Sequence, residues 1–160
     1  MIPMKRLLVL LALTLPLATY GQDLSDIFEG KVVDKDEMVE TYLMGSRLEP
    51  YHLNEFHSVK FYASEGETQQ VIAAVLEDVD LAFERETVYA GGKLVYAILV
   101  YPETLTVTGK KKTVSGSRFV CYQLTESDGA RAMVTLVEMK GTARLEDLKA
   151  IFAPADEDND

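Results

Sequence analysis

Two histidines and a glutamate stand close together in the sequence, and these residue types can bind a metal. His52 and His57 are the only histidines, and Glu55 lies between them. Zinc accepts imidazole and carboxylate ligands, but the helical zinc pattern places its histidines four residues apart, and no cysteine or third histidine follows nearby. The spacing therefore favours surface or partly packed histidines, and we predict neither a metal site nor a bound cofactor.

Acidic side chains of the kind that act as paired general acid and base occur between residues 77 and 86. The run comprises Glu77, Asp78, Asp80, Glu84 and Glu86. On an exposed helical face such a run is usually solvated. The serines show no nucleophile elbow, which needs a glycine two residues before and two after the serine. The sequence therefore indicates no catalytic residue, and an enzyme is the less favoured interpretation.

Cys121 is the only cysteine, so no internal disulfide can form. It lies in an apolar stretch between Val120 and Tyr122. A nucleophilic cysteine needs an electropositive, partly open setting and a neighbouring base. A cysteine in an apolar strand is more often an inert small hydrophobic residue, and this is what we predict here.

The pair Gly141-Thr142 joins an apolar segment to a helical pattern, as a phosphate-binding loop does. Such a loop needs several glycines and a lysine that follows them. Here one glycine stands alone, and Lys140 precedes it. We therefore predict a connector between a strand and a helix, with Thr142 as the N-cap of that helix.

Lys110, Lys111 and Lys112 form the one run of lysines in an acidic chain, with Arg118 nearby. No acidic residue occurs between Thr104 and Arg118. One interpretation is an exposed finger that contacts an acidic partner or headgroup through these four cations. The other is a solubilising hairpin tip that blocks edge pairing. The sequence leaves both open.

The first 21 residues have the layout of a secretory signal peptide. Lys5 and Arg6 precede an almost entirely apolar run over residues 7–18, and small residues occupy the −3 and −1 positions before Gln22. The apolar run is too short to span a bilayer comfortably. We therefore expect cleavage before Gln22, a periplasmic or secreted mature chain, and no transmembrane segment in it.

The charge of the chain limits its partners. The formal net charge is −10, and loss of Lys5 and Arg6 with the signal peptide lowers it to −12. Nucleic acid requires a basic footprint and is excluded as a partner.

Residues 154–160 are predominantly acidic and predict a disordered tail. No linker or repeat divides residues 22–153, which we interpret as one domain.

Apolar periodicity predicts three helices. Residues 34–44 place apolar residues on one face of a short helix that stops at Gly45. Residues 65–83 form the clearest pattern, with Ser64 and Glu67 as a capping box in front of it. Residues 144–152 form the third helix, which ends before Pro154.

Strand patterns occupy much of the remaining chain. Residues 57–63 predict one strand, and residues 86–102 predict two strands joined at Gly91-Gly92, of which the second is central. Residues 103–117 are rich in threonine and lysine and indicate either an exposed hairpin or a long loop. Residues 118–139 predict two more strands around a turn at residues 127–129. Several strands connected by short turns predict an α+β two-layer sandwich, with a mainly antiparallel sheet and helices packed on one face.

Several segments resemble a group of small secreted proteins of unknown function from the Bacteroidota. They are "DIFEG", "VETYLMGS" and the closing block "AMVTLVEMKGTARLEDLKAIF", together with the signal peptide. The resemblance covers most of the mature chain and implies an envelope protein of a Gram-negative cell. It supplies no catalytic residue.

Composition, motifs and resemblance together favour a non-catalytic exported domain that binds a protein or a small ligand of the envelope. The expected contact is the sheet face or the lysine run. The alternatives are an enzyme of unrecognised type and a sensor or regulatory partner of an envelope stress or uptake system.

Overall fold

The structure is a computed structural model that describes residues 23–102, 105–114, 116–126, 129 and 131–152. The predicted signal peptide, Ser127 and Asp128 of the predicted turn, and the predicted acidic tail lie outside these residues. Along the described chain the helices are α1 (Leu24–Phe28), α2 (Glu65–Leu81) and α3 (Leu145–Phe152), with 3-10 turns at Lys35–Glu37 and Ser46–Tyr51. The strands are β1 (Val39–Met44), β2 (Leu53–Ala63), β3 (Glu84–Ala90), β4 (Lys93–Pro102), β5 (Leu105–Thr108), β6 (Lys111–Val114), β7 (Ser117–Glu126) and β8 (Ala132–Gly141).

Six strands form one sheet in the order β1-β2-β8-β7-β4-β3, and every neighbouring pair is antiparallel. The predicted α+β class with an antiparallel sheet is therefore confirmed. Strand β4 is buried along Tyr96–Val100, as its unbroken apolar sequence predicts. The predicted turn at Gly91-Gly92 joins β3 to β4, and both glycines have positive φ angles of 57° and 78°.

The front face of the sheet packs against α1 and α2. Ile27 of α1 and Val71 and Val75 of α2 are completely buried there. They contact alternate residues of the central strands: Val59, Phe61, Ala97, Leu99, Val120, Tyr122, Val134 and Leu136. This two-layer arrangement forms the larger of two apolar cores.

The back face carries a second core beneath α3 and the 3-10 turn Ser46–Tyr51. Leu148 of α3 and Leu48 of the turn are buried against the other alternate residues of the strands. These are Tyr96, Ile98, Val100, Phe119, Cys121, Val137 and Met139. The expectation that helices pack on one face only is therefore wrong. The central strands are apolar on both faces, and each face needs a cover.

Helix α2 follows the sequence pattern closely at its start and departs from it at its end. Ser64 Oγ accepts a hydrogen bond from the Glu67 N–H at 3.2 Å, and Glu67 Oε1 accepts one from the Ser64 N–H at 2.9 Å. The predicted capping box is thus confirmed. The helix ends at Leu81, and Phe83 already belongs to the sheet, because its N–H donates to the Val100 carbonyl at 2.9 Å; its side chain is 74% exposed.

The helix predicted at residues 34–44 is wrong. Only Lys35–Glu37 form a 3-10 turn, and Val39–Met44 form β1, the edge strand beside β2. Apolar residues at positions 38, 39, 42 and 43 suit a helix face, but Val39, Thr41 and Tyr42 favour extended backbone. Pairing with β2 makes the segment a strand, and hydrophobic periodicity contains no information about that pairing.

Gly141 allows β8 to pass against the segment that enters β2. A Cβ atom at this position would lie 2.6 Å from the Leu53 Cα and closer still to the His52 carbonyl oxygen. That oxygen accepts hydrogen bonds from the Thr142 N–H at 2.8 Å and the Ala143 N–H at 3.0 Å. Gly141-Thr142 is therefore a connector, as predicted, and the N–H groups that follow Gly141 are already bonded.

The predicted N-cap role of Thr142 is wrong. Helix α3 begins at Leu145, and the Asp147 carboxylate accepts a hydrogen bond from the Arg144 N–H at 3.1 Å. Thr142 lies too far before the first turn to cap it.

We predict that Gly141→Ala lowers the free energy of unfolding by about 1–3 kcal/mol, because the added methyl group overlaps backbone that cannot move away. Gly66→Ala is the matched control. Gly66 lies in the first turn of α2, and a methyl group added there would have no neighbouring atom within 4 Å, so alanine should leave stability unchanged or raise it slightly. Urea unfolding followed by circular dichroism measures both. Equal stability of the two variants would contradict this role of Gly141.

Candidate functional site

The lysine run lies at the end of a two-stranded hairpin. Strands β5 and β6 pair with Thr108 opposite Lys111, and Gly109 and Lys110 form the turn between them. Gly109 has a φ angle of +63°, which suits glycine at the first position of a tight hairpin turn. Lys110 is exposed. Of the two alternatives for this segment, the hairpin is the one observed.

Arg118, the fourth predicted contact residue, belongs to the main sheet. Its Nε lies 3.3 Å from Glu138 Oε1 on the neighbouring strand β8, and its guanidinium lies 5.1 Å from the centre of the Tyr101 ring. Tyr101 in turn donates a hydrogen bond to the Asp78 carboxylate at 2.7 Å. Arg118 thus ties β7 to its neighbours, and it lies on a different sheet from the lysines.

The histidines and Glu55 do not converge on one point. His52 ends the 3-10 turn in the left-handed conformation with φ 57°. His57 stacks on Phe28 with ring centres 4.8 Å apart, and its Nε2 lies 3.5 Å from Glu40. Glu55 accepts a hydrogen bond from the Tyr42 hydroxyl at 2.6 Å, which raises the pKa of that hydroxyl. Within the described ranges no group of three histidine, cysteine or acidic residues could hold a metal ion.

Cys121 and Tyr96 are titratable groups in the back core. Burial raises the pKa of Cys121 to about 12 and, with nearby Cys121 and Glu86, raises the pKa of Tyr96 to about 12. Cys121 is 1% exposed, so its thiol is neutral and inaccessible at neutral pH. The predicted position of Cys121, as a small residue buried in an apolar strand, is confirmed.

An apolar groove opens on the back face beside α3. Its volume is about 180 Å³, and its accessible wall is entirely apolar. The edge strand β1, strand β2, the 3-10 turn and the end of α3 supply the lining residues Leu43, Leu48, Tyr51, Leu53, Phe56, Ile151 and Phe152. Leu43, Tyr51 and Ile151 remain 40%, 52% and 49% exposed. Apolar side chains that are clustered and partly exposed in this way commonly mark a contact surface.

The groove adjoins an open sheet edge. All six residues of β1 are exposed, and β1 pairs only with β2 in the described sheet. The Gly45 N–H donates to the Asn54 carbonyl at 3.2 Å, so alternation along the strand directs the backbone groups of Glu40, Tyr42 and Met44 away from β2. An edge with unpaired N–H and C=O groups can receive another strand.

Sequence reasoning misses this groove for an identifiable reason. The sequence pattern predicts that Leu43 lies on a helix, whereas it lies on an edge strand. Tyr51 belongs to no periodic apolar pattern, so the sequence does not indicate that it lines a groove. The apolar face of α3 is predicted, and Leu148 is buried in the back core with Leu145 and Phe152 packed partly buried against it, but Ile151 stays half exposed. The detectable signal is the surplus of apolar residues at 39–53 over what one short helix could bury.

A second, larger groove of about 600 Å³ lies on the back face at the other end of α3. Phe83, Val100, Pro102 and Leu145 form its apolar part, and Glu84, Glu146 and Arg144 are its charged residues. The described helices include none that is long and apolar enough to cross a membrane.

The described part of the chain is therefore an α+β domain whose antiparallel sheet carries helices on both faces and whose back face has a groove at each end of α3. Residues 11–152 of the sequence match the family described as "Family of unknown function (DUF6108)", and the chain belongs to this family. The family match confirms the expectation from the sequence that the chain belongs to an uncharacterised domain family. No curated protein and no solved structure matches the chain.

We predict that Arg118→Gln lowers the free energy of unfolding by about 1 kcal/mol, because it removes a partly buried ion pair and the contact with the Tyr101 ring. Arg47→Gln, at an exposed position of the 3-10 turn, is the control and should leave stability unchanged. Urea midpoints of the two variants give the comparison. Unchanged stability of Arg118→Gln would instead favour a role for Arg118 as a free contact residue.

Proposed function

We propose that the chain is a non-catalytic binding module of the bacterial envelope, and that it holds an extended segment of a partner protein along β1 with an apolar side chain in the adjacent groove. The observation that carries the proposal is the continuity of the apolar groove with the open edge of β1. Leu43 belongs to both, because it lies on the edge strand and lines the groove.

The size of the groove favours a side chain over a whole ligand. Sites for small organic ligands usually have volumes of about 300–1,000 Å³ and a few converging polar groups. This groove has about 180 Å³ and no polar wall. It suits one or two aliphatic or aromatic side chains.

Backbone hydrogen bonds between the added strand and β1 would supply the remaining affinity. A strand that pairs with β1 would bond to the outward backbone groups of Glu40, Tyr42 and Met44. Residues opposite each other on paired strands point to the same face with Cβ atoms about 5 Å apart. The residue opposite Leu43 would therefore point toward the groove, and alternate residues of the partner would set specificity.

The envelope location is part of this proposal. It is supported by the signal-peptide layout of residues 1–21 and by the resemblance to secreted proteins of the Bacteroidota. The lysines of the β5–β6 hairpin are proposed as a separate contact with an acidic surface. Arg118 contributes to that contact less directly, because Glu138 and Tyr101 already engage it.

We predict that peptides selected from a random display library on residues 22–160 share apolar residues at alternate positions. Binding should slow hydrogen exchange at the amides of Glu40, Tyr42 and Met44, because these become hydrogen-bonded. Leu43→Asp should weaken binding about tenfold or more by placing a charge in the apolar groove.

The matched control is Leu81→Asp, which introduces the same charge at a residue that is 74% exposed and lies outside the groove. It should bind selected peptides as the unmodified chain does. The β1 groove would be refuted as the binding site if the selected peptides bound Leu43→Asp with unchanged affinity. It would also be refuted if binding slowed hydrogen exchange only at amides outside β1.

We also predict that the full chain expressed in a Gram-negative host is recovered from the periplasm or medium with Gln22 as its first residue, which mass spectrometry of the intact protein can show. A chain that starts at Gln22 after an initiator methionine is the control and should remain in the cytoplasm. Recovery of uncleaved full-length chain from the cytoplasm would contradict export.

A further inference from the structure

A small polar cavity lies where three neighbouring strands of the sheet meet the first turn of α2. Ala132 at the start of β8 pairs with Ala63 at the end of β2 and with Glu126 at the end of β7. These three residues line the cavity, which has a volume of about 170 Å³ and a mainly polar wall. The lining also includes Glu65 and Thr68 of α2, Lys93 of β4 and Arg131.

Thr68 is a buried polar residue in the wall of this cavity. It is 1% exposed, and its N–H donates to the Ser64 carbonyl at 2.8 Å, but its Oγ1 has no hydrogen-bond partner among the described residues. A buried hydroxyl without a partner costs free energy, and a valine of nearly the same shape would avoid that cost. An unpaired hydroxyl beside a polar cavity therefore indicates that its partner enters through the cavity.

Lys93 supplies a positive charge at the cavity, and an exposed carboxylate neutralises it. The Lys93 Nζ lies 3.2 Å and 3.3 Å from the two carboxylate oxygens of Glu65. The Lys93 side chain is 26% exposed, whereas that of Glu65 is 70% exposed. An ion pair with so exposed a partner contributes little free energy. A carboxylate that enters the cavity can therefore take the place of Glu65.

The other charges around the cavity favour a ligand that also carries a positive group. The N-terminus of α2, a helix of 17 residues, adds partial positive charge and favours a carboxylate. The charged side chains balance, since Lys93 and Arg131 face two acidic residues of the wall, Glu65 and Glu126. Electrostatic complementarity then favours a zwitterion over a net anion, which the net charge of −10 on the chain also repels.

The volume of the cavity limits the size of such a ligand. One water molecule takes up about 30 Å³ in the liquid, so the cavity has the volume of about five or six waters. Amino acids with small side chains, such as glycine, alanine and serine, match this volume. An aromatic amino acid or a peptide is too large.

We propose that this cavity binds a free α-amino acid with a small side chain. Lys93 and the N-terminus of α2 hold its carboxylate, which displaces the side chain of Glu65. The Thr68 hydroxyl donates a hydrogen bond to the same carboxylate, and Glu126 accepts one from the ammonium group. No covalent bond is made or broken, so the site binds its ligand without catalysis.

This inference goes beyond the proposed peptide site and does not depend on it. Ala63 at the end of β2 lines the cavity, whereas Leu53 at the start of β2 lines the β1 groove. Strand β2 has 11 residues, so the two sites lie roughly 30 Å apart along it. Failure of one site leaves the other untouched, because the two have different ligands and different variants.

Titration of residues 22–160 with three small molecules, followed by nuclear magnetic resonance, tests the site. L-alanine carries both charged groups, propionate lacks the ammonium group, and ethylamine lacks the carboxylate. We expect L-alanine to bind with a dissociation constant below about 1 mM and the other two at least about tenfold more weakly. The amide signals of Thr68 and Lys93 should shift on binding, and that of Tyr42 on β1 should not.

Three substitutions test the groups assigned to the site. Thr68→Val should weaken L-alanine binding about fivefold or more, yet leave the free chain at least as stable to heat, because it removes an unpaired hydroxyl. Lys93→Met should weaken binding about tenfold. Its matched control is Lys60→Met, at an exposed lysine outside the cavity, which should bind L-alanine as the unmodified chain does.

Glu65→Gln gives a response that a merely structural ion pair would not give. It removes the carboxylate that competes with the ligand for Lys93, so L-alanine should bind about threefold more tightly or better. Weaker binding by this variant would overturn the displacement of Glu65.

The remaining outcomes decide the proposal as a whole. Selection of L-alanine over propionate and ethylamine, reduced by Thr68→Val and Lys93→Met, supports the site. If no amide signal shifts at up to about 10 mM L-alanine, water alone fills the cavity and the proposal is wrong. It is also wrong if propionate or ethylamine binds as tightly as L-alanine, or if neither Thr68→Val nor Lys93→Met changes the affinity.

Discussion

The close passage of Gly141 against the backbone of His52 and Leu53 determines how the back face of the sheet is built. At this point β8 ends and the segment leading to α3 begins. The His52 carbonyl accepts hydrogen bonds from the N–H groups of Thr142 and Ala143. The contact holds the 3-10 turn, which ends at Tyr51, beside the segment that leads into α3. Both grooves of the back face depend on that placement, because one opens at each end of α3.

Sequence patterns predict correctly those elements that depend on local chemistry. The Ser64–Glu67 capping box, the Gly91-Gly92 turn and the apolar run of β4 each follow from a few neighbouring residues. The predictions fail where a distant partner decides the outcome. Val39–Met44 is a strand because β2 lies beside it, and α3 lies on the back face because the central strands are apolar on both faces.

The candidate sites show the same limit more strongly. The sequence groups Lys110–Lys112 with Arg118 because they are close along the chain, but the structure assigns them to a hairpin and to the main sheet. The apolar groove is invisible to sequence reasoning because its lining comes from four elements between Leu43 and Phe152. Composition does indicate that such surfaces are needed, since the chain has more large apolar residues than its two cores bury.

The strand order has a consequence for how the chain folds. Strands β3, β4, β7 and β8 pair with the preceding or following strand of the main sheet, whereas β2 pairs with β8 across α2 and strands β3 to β7, as the pairing of Phe61 with Val134 shows. Closing so long a loop is entropically costly and slow compared with forming local hairpins. Forming the β3-β4-β7-β8 meander therefore costs less loop-closure entropy than attaching the β1–β2 hairpin to it. The open edge of β1 thus belongs to the hairpin whose attachment to the rest of the sheet has the largest loop-closure cost.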